Sequence, residues 1–203
     1  MSNQNNVSNS DFWDECYIDG NIGWDLGEAT PVFKDLCHKI KKNSSIFIPG
    51  AGNGYDPIYF AKNGHDVTAA DFSIKAVENM ILKSNKDNIK LNVLHADIFS
   101  LDRQLIQKFD YVIEYTCFCA IERSRRMEYI KSMHQILKKD GELIGLFLPV
   151  NKKIEDGGPP YSIVIENVIN QFSNYFDVIE SKKHPLSINA RKDNEYYIHF
   201  KKK

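Results

Sequence analysis

One short apolar run decides most of what this chain can become. Ser44 to Pro49 reads as a strand, too short for a helix, and it runs directly into Gly50-Ala51-Gly52-Asn53-Gly54. A glycine-rich turn that closes a strand and opens a helix lets backbone approach a ligand closely and points free amides at it. On its own the turn is equally compatible with a simple tight connection. Downstream the order repeats: a helix from about Asp56 to Asn63 stopped by Gly64, the strand HDVTAAD, a helix from the Ser73 cap through Met80 and Ile81, and the strand LNVLHAD.

The alternation continues with the strand FDYVIEYT, a helix from about Arg125 to Lys138 and, after Asp140-Gly141, the strand ELIGLFLPV. These strands are nearly continuous apolar runs, as in a parallel sheet covered on both faces. A helix from about Ser162 to Tyr175 precedes FDVIES and EYYIHF, whose polar connection suits an antiparallel pair. The expected architecture is α/β: one doubly wound, mostly parallel seven-stranded sheet with an antiparallel C-terminal strand. Upstream, Thr30-Pro31 is a helix start, with Val32, Phe33, Leu36, Cys37 and Ile40 at helical spacing.

Residues 1 to 11 are Asn- and Ser-rich with Val7 as their single aliphatic core candidate, and read as a flexible arm. Residues 12 to 29 carry Trp13 and Tyr17 at i and i+4 and then Trp24, and read as a helical lid on a single domain spanning 12 to 203. Lys+Arg 26 against Asp+Glu 27 gives a net charge of −1, with no global field toward nucleic acid or an anionic membrane. No run reaches the roughly 18 apolar residues of a membrane span, and the polar amino terminus is unlike a signal peptide. The expectation is a cytoplasmic protein without nucleic-acid or membrane partners, with Cys16, Cys37, Cys117 and Cys119 reduced. The cysteine spacing and the 6 scattered histidines give no metal-ligand pattern.

In a doubly wound sheet the ligand lies at the carboxyl ends of the central strands. The glycine spacing here is G-x-G-x-G, with Tyr55 where the dinucleotide fingerprint has its third glycine, which disfavours an NAD-dependent enzyme. Asp71 ends the second strand about 20 residues on, where a carboxylate accepts from ribose hydroxyls. Asp97 ends the third, placed to accept from an adenine amino group.

Together these features make the chain resemble the class I S-adenosylmethionine-dependent methyltransferases. Finer motifs are similar to the thiopurine methyltransferase family, in particular its thiol and halide methyltransferase branch. They are Trp13-x-x-Cys16-Tyr17 with Trp24-Asp25-x-Gly27 and Ala29-Thr30-Pro31, then Tyr115-Thr116-x-Phe118-Cys119-Ala120-Ile121-Glu122, then Asp156-Gly157-Gly158-Pro159-Pro160-Tyr161. The resemblance implies that Trp13, Tyr17 and Trp24 close over the cofactor, and that Gly50, Ala51 and Gly52 run beside its methionine part. It also implies Asp71 and Phe72 at the ribose, Asp97, Ile98 and Phe99 around the adenine, and Tyr115 and Thr116 beside the transferring methyl group. Arg126 and Tyr115 are the implied catalytic residues, and Phe118, Arg126, Pro159, Pro160 and Tyr161 the implied acceptor site.

The implied reaction is direct in-line transfer of a methyl group from S-adenosylmethionine to a small thiol, hydrosulfide or thiopurine-like acceptor, by a monomer or weak homodimer. A halide, an oxygen or nitrogen of a small metabolite, or non-catalytic nucleotide binding remain as alternatives. The chain departs from the branch pattern at Ala51, Cys117 and Arg123, which leaves the acceptor open.

Overall fold

A computed structural model describes residues 6–203. Strands β1 (Ser45–Pro49), β2 (Asp66–Asp71), β3 (Asn92–His95), β4 (Phe109–Tyr115), β5 (Leu137–Phe147), β6 (Phe176–Lys182) and β7 (Tyr196–Lys202) form one sheet. Their order is β3-β2-β1-β4-β5-β7-β6. β1 to β5 pair in parallel, and β7 runs antiparallel to both β5 and β6. The chain therefore winds outward from β1 through β2 to β3, returns to β4 on the other side, and leaves a crevice at the carboxyl ends of β1 and β4.

Alternation along the strands sorts the core into two layers. Ile46 and Ile48 of β1 face Val32, Phe33 and Phe60, which come from helices α2 (Pro31–Cys37) and α3 (Tyr55–Lys62). Phe47, between them, faces the opposite layer with Val112, Leu143 and Phe147. That layer is covered by α5 (Arg126–Ile136) and α6 (Ile165–Phe172), where Phe172 and Phe200 stack at 4.4 Å. α4 (Ile74–Lys86) covers β2 and β3, with the Ser73 hydroxyl accepting from the Ala76 amide at 3.2 Å as its cap.

Several boundaries differ from the sequence expectation. The last helix is confined to Ile165–Phe172, and α5 stops at Ile136 because Leu137 already pairs with Phe109. β5 then continues through Asp140, at φ +61°, and Gly141, expected as a turn. The pairing of Phe109 with Leu137 and of Tyr111 with Glu142 places the irregularity inside the ladder instead of ending it. Thr30 precedes α2 without capping it: its amide and hydroxyl donate to the Asp56 carboxylate at 2.7 and 2.9 Å, joining α2 to α3.

Of the segment expected as a flexible arm, residues 1–5 lie outside the described residues. α1 (Ser10–Asp19) begins within it, capped by Asn9, whose side chain accepts from the Asp11 amide at 3.1 Å. Val7 is buried, and its carbonyl accepts from the Trp13 indole at 2.9 Å. A single aliphatic residue finds enough apolar cover because the lid folds back over it. Among the described residues no helix is long and apolar enough to cross a membrane.

Candidate active site

At the carboxyl ends of the central strands opens a cavity of about 660 Å³, within the usual range for small-molecule sites. Its floor is the turn after β1. Gly50 and Gly52 have φ of +56° and +55°, a region that L side chains rarely adopt. A Cβ on Gly50 would stand 2.9 Å from the Cβ of Cys117, and one on Gly52 would stand 3.1 Å from the Tyr17 hydroxyl. The chain thus needs glycine here both for dihedral angle and for space.

Asp71, at the end of β2, is buried and lines this cavity. Its carboxylate accepts from the Gly52 amide at 2.8 Å and the Ser73 amide at 2.9 Å, so it also fixes the floor. Burial pushes its pKa up, and the backbone amides pull against that shift. Phe72, Asp97, Ile98 and Phe99 line the same cavity. Asp97 accepts from the Phe99 amide at 2.9 Å, and the Ser132 hydroxyl holds the Ile98 carbonyl at 2.7 Å.

Trp13, Tyr17 and Trp24 line the same cavity. Trp24 packs edge-on against Trp13 at 5.7 Å and Tyr17 at 5.9 Å, and its indole donates to the Tyr17 hydroxyl at 3.3 Å. Three hydrogen bonds to two acidic residues seat this lid on the start of α4 and on the turn after β1. Asp14 accepts from the Ser73 hydroxyl at 2.5 Å and the Lys75 amide at 3.1 Å, and Asp25 accepts from the Asn53 side chain. Burial, then the nearby Asp71 charge, push the Tyr17 phenol well above its ordinary pKa, so its hydroxyl stays neutral.

The remaining expected cofactor and acceptor residues divide. Thr116, Pro159 and Pro160 line the cavity. Ala51, Gly52 and Tyr115 instead line a recess of about 60 Å³ that shares Trp24, Gly50 and Thr116 with the main cavity. The Tyr115 hydroxyl donates to Glu195 at 3.2 Å and accepts from Arg191.

Phe118, Arg126 and Tyr161 stand behind the wall and are absent from the cavity lining. Arg126 is 6% exposed, with its guanidinium 4.8 Å from the Phe118 ring and both terminal nitrogens 3.4 Å from the Ser162 carbonyl. Burial pulls its pKa down to about 10. Arg126, expected at the acceptor, thus stands outside the cavity lining. Residues one apart on a helical turn point roughly 100° apart, and it is Arg125 that lines the cavity, its guanidinium 3.5 Å from the Phe99 ring.

Three residues that sequence reasoning passed over, Ala190, Arg191 and Asn194, reach the cavity from the connection between β6 and β7. Arg191 donates to the Trp24 carbonyl at 2.9 Å and to the Tyr115 hydroxyl, bridging lid and β4. The segment carries no periodic or glycine signal; only the antiparallel return of β7 brings it over the site.

Strand-end carboxylates, a glycine floor and an aromatic wall around a cavity of this size suit a nucleoside attached to a positively charged sulfur, so the donor set fits S-adenosylmethionine. Sheet order and site define the class: the Rossmann-like S-adenosylmethionine-dependent methyltransferases. Solved structures show the same fold. The 1,6-didemethyltoxoflavin-N1-methyltransferase of Burkholderia thailandensis, with bound S-adenosylhomocysteine, aligns with TM-score 0.76 at 18% identity over 97% of this chain and 87% of that one. Magnesium protoporphyrin IX methyltransferase of Synechocystis PCC 6803 aligns with TM-score 0.75 at 14% identity, over 96% and 97%.

Within that class, the sequence profile of the family described as Thiopurine S-methyltransferase (TPMT) matches residues 8–198, and the chain belongs to this family. Thiocyanate methyltransferase 1 of Brassica oleracea is 32% identical over 199 residues, covering 94% of this chain and 84% of the relative. The probable thiol methyltransferase 2 of Arabidopsis thaliana is 33% identical over 196 residues with the same coverage. A thiopurine S-methyltransferase of Psychrobacter cryohalolentis is 25% identical over 206 residues, covering 90% and 92%.

Proposed function

We propose that this chain is an S-adenosylmethionine-dependent S-methyltransferase acting on a small thiol, hydrosulfide or thiocyanate-like sulfur anion. Asp71 and Phe72 would hold the ribose, Asp97 to Phe99 the adenine, Gly50 the backbone side of the methionine part, and Trp13, Tyr17 and Trp24 the face turned to the sulfonium. Bound there, the cofactor supplies a methyl group on a positively charged sulfur. The observation that carries the reading is the meeting, in one cavity, of the strand-end carboxylates with an apolar wall of Thr116, Cys117, Cys119 and Ile121 and the guanidinium of Arg191.

The residues of the chain then have distinct tasks. Thr116, Cys117 and Cys119 exclude water from the space between floor and diproline loop, where a sulfur anion is a stronger nucleophile. The Arg191 guanidinium at the cavity wall favours a neighbouring thiolate over the thiol. Alignment of nucleophile and donor supplies much of the rate in such a displacement, so the wall's shape matters more than any proton transfer. Burial holds the Cys117 and Cys119 thiols well above their ordinary pKa, and they act as inert wall rather than as methyl carriers.

We read the chain further as a cytoplasmic enzyme acting as a monomer or weak homodimer, and residues 12 to 29, whose Trp13, Tyr17 and Trp24 line the cavity, as the lid of a single domain. The test is release of S-adenosylhomocysteine by purified protein with S-adenosylmethionine and each of a panel of thiols, hydrosulfide, thiocyanate, iodide and a thiopurine. Turnover with sulfur acceptors is expected; no product with any of them defeats the reading, and turnover confined to oxygen or nitrogen acceptors replaces it.

A further inference from the structure

Glu114 is a deeply buried carboxylate beside the site, 1% exposed on β4, and it is outside the cavity lining. One carboxylate oxygen accepts from the Phe118 amide at 2.7 Å, and the other accepts the hydroxyl of Tyr129, itself fully buried on α5. Gly145 is paired with it on β5, where a Cβ would stand 2.8 Å from the Cβ of Glu114. A glycine inside a strand marks such a close approach, and here the room it leaves is taken by the glutamate.

The carboxylate brackets a strained turn. Thr116, between Glu114 and Phe118, has φ +62°, a rare conformation for a β-branched residue that persists only where its surroundings hold it. From the same turn, Cys117 packs against Gly50 of the cofactor floor. The Cys119 carbonyl accepts the Tyr161 amide at 2.7 Å, which hangs the Pro159-Pro160-Tyr161 loop on the turn. Floor and acceptor loop thus meet through residues whose backbone Glu114 fixes.

We propose that Glu114 is a positioning residue for methyl transfer: by holding the Phe118 amide and the Tyr129 hydroxyl together, it sets the distance between the cofactor floor and the acceptor wall. The rate part of this inference rests on the methyltransferase reading above; the geometric part does not. Tyr129 and Arg126 from α5, and Cys117 and Cys119 from the turn, are the titratable groups around it.

The experiment compares E114A, E114Q and Y129F with the wild type. Without added cofactor, amide exchange of Phe118 and labelling of Cys117 and Cys119 by a thiol reagent report the turn directly. E114A is expected to speed both at least tenfold. With S-adenosylmethionine and a thiol acceptor it is expected to lower kcat at least tenfold while the dissociation constant for S-adenosylhomocysteine changes less than threefold. E114Q keeps an acceptor for Phe118 and is expected to recover most of the protection and of the rate, with Y129F intermediate.

Wild-type exchange at Phe118 in E114A overturns the proposal, as does wild-type kcat in a variant whose turn has loosened. If E114A fails to fold, Y129F and E114Q decide: wild-type kcat and labelling in Y129F overturn it, and a lowered kcat with unchanged S-adenosylhomocysteine binding supports it. If the wild type methylates no sulfur acceptor, the functional reading fails by itself, and exchange and labelling still judge the turn.

Discussion

Replacement of Gly50 by alanine isolates the contact on which the cavity floor depends. Alanine at φ +56° costs about 1–2 kcal/mol relative to glycine. Its Cβ would also stand 2.9 Å from the Cys117 Cβ and 3.0 Å from its sulfur. The sulfur can rotate away, but the Cβ is fixed to backbone in a buried turn, so relief requires the floor and the turn to separate. Overpacking of this kind costs about 1–3 kcal/mol. G50A should therefore lose about 2–5 kcal/mol, a large share of a typical domain's 5–15 kcal/mol.

A double-mutant cycle separates the two costs. C117A retains the offending Cβ and should couple weakly to G50A, whereas C117G removes it and should restore about 1–3 kcal/mol, leaving the dihedral penalty. Urea unfolding of the single and double variants, followed by far-UV circular dichroism, gives the coupling energies. A G50A loss below about 1 kcal/mol, or equal coupling for C117A and C117G, would refute the steric account.

Three other outcomes follow from the site. D71A leaves the Gly52 and Ser73 amides without their acceptor and should cost about 1–3 kcal/mol of stability; calorimetric titration should also show S-adenosylhomocysteine binding weakened at least tenfold, D71N being milder. Burial raises the Glu114 pKa from 4.5 to about 7, so the folded state holds this proton more tightly than the unfolded chain. Stability from this group is complete below pH 4.5 and lost as pH rises to about 7, an effect of order 3 kcal/mol that E114Q should flatten in melting temperatures measured across that window. Asp56, raised by burial to about 6, acts in the same sense over a narrower range. R191A removes the ties to the Trp24 carbonyl and the Tyr115 hydroxyl, worth about 1–3 kcal/mol for charged donors; limited proteolysis between residues 20 and 30 should quicken roughly tenfold, and wild-type cleavage there would show that Arg191 does not hold the lid.

The site was legible in the sequence where local chemistry alone fixes the answer. The turn after β1 needs backbone angles that glycine adopts readily, and Asp71 and Asp97 follow strands whose apolar runs announce them. Trp13 and Tyr17 share a face because they are one helical turn apart. Arg126 shows the limit of such reasoning: its spacing placed it correctly on α5, but the facing of one helical turn against the core buried it and turned Arg125 outward.

What the sequence determined by itself is therefore the order of elements, the glycine floor, the strand-end carboxylates and the family motifs, all set by properties of neighbouring residues. The tertiary structure alone decided that Val7 is covered, that Arg191 and Asn194 cross to the cavity, and that Glu114 ties Phe118 to Tyr129. Each of these joins segments distant in the chain or sets which way a side chain points. Such contacts arise from the packing of completed layers, which no local pattern of residues encodes.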